Sequence, residues 1–187
     1  MRLLAISGSL RADSHNTRLL RIAAEEAPAG VEIDIYGGLA DIPPYDEDAD
    51  AGAGPEPVRA LRELIADYDG LIFATPEYNS SIPGVLKNAI DWASRPRATT
   101  PLAGKPSGVM GASTGYFGAV WAQAELRKVL GSTGARVVDA EAALAQAGDA
   151  WDDGEALRDD LTTASVRTLV AAVVAEADRD RELALAA

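Results

Sequence analysis

The loop Gly8-Ser9-Leu10-Arg11-Ala12-Asp13-Ser14-His15-Asn16 crowds polar donors into one short stretch. Ser9 and Ser14 offer hydroxyls, Asn16 an amide, and Arg11 a planar charged fork. A helix beginning near Asn16 adds free N–H groups and the positive end of its dipole, so the anion best suited to this loop is a phosphate. The plainer alternative is a tight turn in which Ser14 or Asn16 only caps the helix. The loop has neither the lysine and spacing of a P-loop nor the G-x-G-x-x-G pattern. Nucleoside triphosphate hydrolysis and an ordinary dinucleotide fingerprint therefore lack support.

A second loop has a different character. In Thr75-Pro76-Glu77-Tyr78-Asn79-Ser80-Ser81-Ile82-Pro83-Gly84, Pro76 and Pro83 stiffen the ends. Between them, Glu77, Tyr78 and Asn79 supply backbone amides, an aromatic face and polar side chains. A heteroaromatic ring edged with N–H and C=O groups needs that mixture. The alternative is a surface turn with Tyr78 packed on the core. A third loop, Gly111-Ala112-Ser113-Thr114-Gly115-Tyr116-Phe117-Gly118, carries glycines that let backbone come close to a ligand.

Other residues invite chemistry less strongly. His15 is the only histidine, so no second imidazole is at hand, and it reads as an exposed loop residue. Asp46, Glu47, Asp48 and Asp50 stand among Ala, Gly and Pro, a setting that reads as a solvated loop rather than a metal site. Trp92 and Trp121 fall on helices, where packing against the sheet or a partner subunit is the simple expectation.

The elements that must position these loops alternate. Leu3–Ile6, Val31–Tyr36, Asp69–Thr75, Pro106–Ala112 and a short Arg136–Val138 read as strands. Asn16–Ala27, Pro57–Ala66, Pro83 or Gly84 to Trp92 or Ala93, Gly118–Leu130, and Glu155 to about Ala177 read as helices. In the last helix, Leu157, Leu161, Val166, Leu169, Val170, Val173 and Val174 are expected to face inward, and the tail beyond it to fray. Residues 37–57 and 146–154 read as loops. Leu71-Ile72-Phe73-Ala74 is a continuous apolar run suited to a central strand, whereas Val31–Tyr36 alternates like an edge strand. Five strands alternating with five helices, with no linker or repeat, predict one domain over 1–187. The expected architecture is a doubly wound parallel sheet of order 2-1-3-4-5 with helices on both faces. That order sets the ligand crevice between strands one and three, where the first two loops lie.

The totals bound the function classes. The chain has 187 residues, 48% of them hydrophobic, and lacks cysteine, which excludes disulfides and thiolate chemistry. Its net charge of −12 argues against nucleic acid and anionic membranes as partners. The first apolar run is too short for a signal peptide, and no stretch reaches membrane-spanning length, so a cytoplasmic protein is expected.

Together, Gly8-Ser9-Leu10-Arg11 with Ser14 and Asn16, the block from Pro76-Glu77-Tyr78-Asn79 through Ser81 to Trp92, and Gly111-Ala112-Ser113 resemble the NADPH-dependent FMN reductase family. The similarity runs from about residue 2 to 140. This flavodoxin-like family includes quinone, chromate and azo-dye reductases. The resemblance implies tightly held FMN, with Ser9, Arg11, Ser14 and Asn16 on its phosphate. Pro76, Glu77, Tyr78 and Asn79 would line the isoalloxazine, joined by Ser113, Thr114 and Gly115. It also implies NADPH or NADH as co-substrate, a small-molecule electron acceptor, and a homodimer or homotetramer, with Trp92 and Trp121 as candidate contacts. No side-chain nucleophile is needed, because the flavin carries the chemistry. The expected reaction is ping-pong, and Tyr116 and Phe117 are expected to narrow the acceptor site. The competing readings are a flavodoxin-like electron carrier without an NAD(P)H site and a non-enzymatic module for a phosphorylated ligand.

Overall fold

A computed structural model describes residues 1–52, 54–153 and 156–186. Five strands form one parallel sheet: β1 (Arg2–Ser7), β2 (Glu32–Tyr36), β3 (Gly70–Thr75), β4 (Pro106–Ala112) and β5 (Arg136–Leu144). Their order is β2-β1-β3-β4-β5, the flavodoxin-like doubly wound arrangement. Five helices connect and follow them: α1 (His15–Glu25), α2 (Glu56–Asp67), α3 (Gly84–Ala93), α4 (Val120–Ser132) and α5 (Asp160–Ala186).

The period-two alternation of β1 explains the two cores. Leu3 and Ala5 pack with Leu19 and Leu20 of α1 and Val166 and Leu169 of α5. Leu4 and Ile6 face the opposite way, toward Leu61 of α2, Leu86 of α3 and Leu126 of α4. Every residue of β3 and β4 is buried, as expected for central parallel strands covered on both faces. β4 contains Gly108 because α5 sits directly on it: a Cβ there would lie 2.6 Å from Leu169 Cδ2.

Several expectations need correction. β5 runs to Leu144 rather than ending near Val138. Its pairing with β4 jumps from Ser107–Val137 to Val109–Glu141. That bulge and the polar residues Asp139 and Glu141 disguise the strand, whose outer face is partly wet. α4 starts at Val120, two residues later than expected, because Gly118 and Ala119 have left-handed φ of 58° and 62°. α5 continues past Ala177 to Ala186, and Leu161 in its first turn faces solvent at 78% exposure instead of inward. The helix also begins at Asp160, later than the expected Glu155, which itself lies outside the described residues: residues 156–159 precede the helix, and Leu157 pairs with Trp151 in an isolated bridge instead.

Residues 39–50 of the expected 37–57 loop are tied to the rest of the fold. Leu39 and Ile42 are buried in the core, and Leu39–Asp41 form a 3-10 turn. The Pro43 carbonyl accepts bonds from Trp92 Nε1 and Asn88 Nδ2, each at 2.8 Å. Trp92 is consequently fully buried beneath this segment and edge-on to Tyr45, so it cannot form a subunit contact. Asp50 from the acidic run pairs with Arg62 at 2.8 Å.

Candidate functional site

The carboxyl ends of β1, β3 and β4 deliver the three loops to one place. They enclose an open cleft of about 240 Å³ lined by Ser9, Arg11, Ser14, His15, Asn16, Pro76, Glu77, Tyr78, Ala112, Ser113 and Thr114. This is the crevice at the switch point of a doubly wound sheet. Nine of the eleven residues expected at a ligand line it, whereas Asn79 and Gly115 do not.

Local chemistry explains the first loop. The Gly8 N–H donates to the Ala74 carbonyl at 2.8 Å, binding the loop to β3 as it leaves β1. A Cβ on Gly8 would lie 3.0 Å from Leu86 Cδ2 and 3.3 Å from Pro76 Cδ, so a side chain here would crowd the approach of the first two loops. Ser14 caps α1, its side chain accepting the Thr17 N–H at 3.3 Å. Arg11 is exposed, and its guanidinium donates to the Asp13 carbonyl. Among the described residues it has no carboxylate partner.

Asn16 has a task that spacing alone does not reveal. Its Nδ2 donates to the Ala112 carbonyl at 3.0 Å, and its Oδ1 accepts the Ala112 N–H at 2.9 Å. The side chain is 3% exposed and completes the polar valence of the last residue of β4. Its amide therefore clamps the first loop to the third, leaving its backbone at the start of α1 for any anion.

The second loop owes its shape to a tight hairpin. Tyr78 and Ser81 exchange backbone bonds, 2.9 Å from Tyr78 N–H and 3.2 Å from Ser81 N–H. Asn79 and Ser80 between them take left-handed φ of 54° and 61°. This is the I′ geometry, which costs energy in residues other than glycine. Tyr78 projects at 52% exposure rather than packing on the core. The Glu77 carboxylate accepts the Ala122 N–H at 3.2 Å, so it caps the first turn of α4. In the third loop the Ser113 N–H donates to Leu144, and Ala147 and Gln146 donate to the Ser113 and Gly115 carbonyls. The amides of Tyr78 and Ser113 are thus already used.

His15 was not expected to matter, yet it lines the cleft and is partly buried. Trp151 Nε1 donates to its Nδ1 at 2.9 Å. Burial first, and then the charges of Arg11 and Arg18, push its pKa below the ordinary histidine value. Trp151 arrives from beyond β5, and its indole lies 5.7 Å from the Arg18 guanidinium. A single histidine beside a helix cap was the one signal of this, and it names no partner.

The donor set fits a flavin mononucleotide. Hydroxyls, a guanidinium and the start of α1 suit a phosphate at one end. The aromatic turn and two backbone loops suit a flat polar ring at the other.

Comparison with known proteins agrees. Residues 1–149 match the NADPH-dependent FMN reductase family. An NAD(P)H-dependent FMN reductase of Pseudomonas aeruginosa is 48% identical over 130 residues, covering 70% of this chain and 69% of the relative. A 2-hydroxy-1,4-benzoquinone reductase of a Burkholderia species is 46% identical over 131 residues, covering 69% of each. Among solved structures, the flavoenzyme NAD(P)H:(acceptor) oxidoreductase FerB of Paracoccus denitrificans superposes with a TM-score of 0.84 at 35% identity. It covers 95% of this chain and 97% of its own. By sheet order, by the cleft and by these matches, the chain belongs to the NADPH-dependent FMN reductase family.

Proposed function

We propose that this FMN-dependent NAD(P)H oxidoreductase reduces a quinone-type acceptor, with donor and acceptor using the same open cleft in turn. The convergence of three loops on one cleft at the start of α1 is the observation that carries this reading. Bound FMN supplies the hydride-accepting and electron-donating chemistry. The protein's task is to hold and orient it.

In this reading Ser9, Arg11, Ser14 and the backbone of Asn16 hold the phosphate. Pro76, Glu77 and Tyr78 border the ring on one side, and Ser113 and Thr114 on the other. The amides not spent inside the protein aim dipoles at charge that develops on the ring. Tyr116 and Phe117, at 79% and 60% exposure, follow the cleft-lining Ser113 and Thr114 in the third loop and in this reading narrow the approach of an acceptor. Quinone reduction is favoured because the Burkholderia relative and a 44% identical Escherichia coli relative are both quinone reductases.

An anaerobic spectrum of the protein loaded with FMN and mixed with NADPH tests the function. Bleaching of the flavin bands is expected. Flavin that stays oxidised with both NADPH and NADH would indicate an electron carrier instead. Initial-rate plots should be parallel, and intersecting lines would refute the alternating use of one cleft.

A second copy of the chain is proposed to cover the apolar face formed by Tyr116, Phe117, Val120 and Trp121. Phe117 and Trp121 meet edge to face at 5.0 Å, and all four residues are exposed. Light scattering should report a dimer or tetramer, and a monomer would remove the idea. No helix among the described residues is long and apolar enough to cross a membrane. The reaction consumes NAD(P)H, which suits the cytoplasm, and cell fractionation checks that placement.

A further inference from the structure

His15 and Trp151 lie 136 positions apart in the chain, yet they form one planar unit at the wall of the cleft. Their rings are 7° from coplanar with centroids 6.2 Å apart. Face-to-face stacking would bring the centroids much closer. With Trp151 Nε1 only 2.9 Å from His15 Nδ1, the two rings instead lie side by side in a common plane, joined through that hydrogen bond.

The bond has a chemical consequence. An indole N–H can only donate, so Nδ1 of His15 must carry a lone pair. The imidazole proton then resides on Nε2, at the ring position turned away from Trp151. Arg11 and Arg18 oppose a further positive charge on the ring, and so does its partial burial. His15 is thus held neutral as a single tautomer with one N–H to give.

We propose that His15 is a further cofactor-binding residue, donating its Nε2–H to the phosphate of FMN, and that Trp151 is the positioning residue that fixes its tautomer and plane. This rests on the reading of the 9–16 loop as the phosphate cradle. His15 is the first residue of α1, between the Ser14 cap and Asn16, and it lines the cleft at the end of the helix whose first N–H groups lack intrahelical partners. Trp151 follows the stretch that matches the family, residues 1–149, so this support comes from the chain's own last connection. Trp151 is itself anchored: Arg158 Nε donates to its carbonyl at 2.7 Å, and it pairs with Leu157 in an isolated bridge. The indole is 8% exposed, packed in the core formed with α1 and α5.

The chain's single histidine makes the test unusually direct. Nitrogen-15 spectra of the imidazole in the whole protein at neutral pH should show one protonated and one unprotonated nitrogen, with the proton on Nε2. A proton on Nδ1, or a mixture of tautomers, overturns the proposal. Trp151→Phe should convert the parent's single tautomer into a mixture. Binding is then compared for FMN and riboflavin, which lacks the phosphate. His15→Phe should weaken FMN by roughly tenfold or more, the size expected for one bond to a charged acceptor, and leave riboflavin unchanged. His15→Gln, whose amide can present a donor at a similar distance, should recover part of that loss.

The outcomes separate cleanly. If the parent binds FMN no more tightly than riboflavin, the cradle reading fails and this proposal fails with it. If FMN is preferred but His15→Phe retains that preference, the cradle stands and His15 has no part in it. Equal loss of FMN and riboflavin in His15→Phe would mark a structural role and also overturn the proposal.

Discussion

The two edges of the sheet treat polar groups in opposite ways. At the amino edge they satisfy one another. Arg2 reaches Asp34 at 3.1 Å and the Tyr68 hydroxyl at 2.6 Å, and Tyr68 donates to Asp34 at 2.7 Å. Asp69 accepts from the Arg2 N–H and from Arg181, while Lys105 donates to the Tyr68 carbonyl at 2.6 Å. At the carboxyl edge Arg11 meets only a neighbouring carbonyl, Tyr78 projects outward, and the polar groups converge on an open cleft. The first edge spends its hydrogen bonds on stability, and the second reserves some for a ligand. Asn16 is the exception that makes the second edge work, since its side chain is committed to Ala112.

That contrast can be broken at its strongest point. Asn16→Leu should destabilise the protein by about 2–4 kcal/mol, because it leaves the buried N–H and C=O of Ala112 without partners. Urea denaturation of the ligand-free protein measures this. A loss below about 0.5 kcal/mol would mean that the clamp is dispensable. Next comes Arg11→Ala, expected to weaken FMN binding roughly ten- to a hundredfold while the ligand-free urea midpoint stays where it is. Fluorescence titration with FMN gives the first number. A fall in the midpoint would show that Arg11 serves stability like its counterparts at the amino edge.

Smaller changes sharpen the comparison. Ser80→Gly should stabilise the fold by about 0.5–1 kcal/mol, since glycine accepts the left-handed conformation at low cost. If calorimetry finds it neutral or destabilising, the Ser80 hydroxyl or its turn has a compensating role. Asp34→Asn addresses the other edge. The Tyr68 hydroxyl, and then Arg2, hold the Asp34 carboxyl below its ordinary value. A lowered carboxylate stabilises fully above its unfolded pKa and loses that contribution as pH falls through the folded one. The parent should therefore exceed Asp34→Asn by no more than about 1 kcal/mol at neutral pH, because the pair is half-exposed and screened. The gap should close below about pH 4. A gap that widens in acid would reverse the assignment.

What could be read beforehand was local. Apolar runs located β1, β3 and β4, their alternation with helices implied the sheet order, and loop composition singled out the three segments that meet at the cleft. What was not legible came from distant partners and from local irregularity. Asn16 is satisfied by a residue 96 positions away, and His15 by one 136 away. Trp92 looked available on its helix until the Pro43 carbonyl and Tyr45 covered it. β5 escaped because a bulge interrupts its pairing, and Leu161 because a helix's first turn projects beyond the sheet it covers.

The pairing of Asn16 with Ala112 also provides a clock. The Ala112 amide proton is shielded at the last residue of a central strand, and it can exchange with solvent only when the first and third loops part. Its exchange rate therefore counts how often the mouth of the sheet opens. A ligand that bridges the two loops should slow that exchange in proportion to its occupancy. One backbone proton would then report both the opening of the empty protein and the strength with which its cofactor keeps it shut.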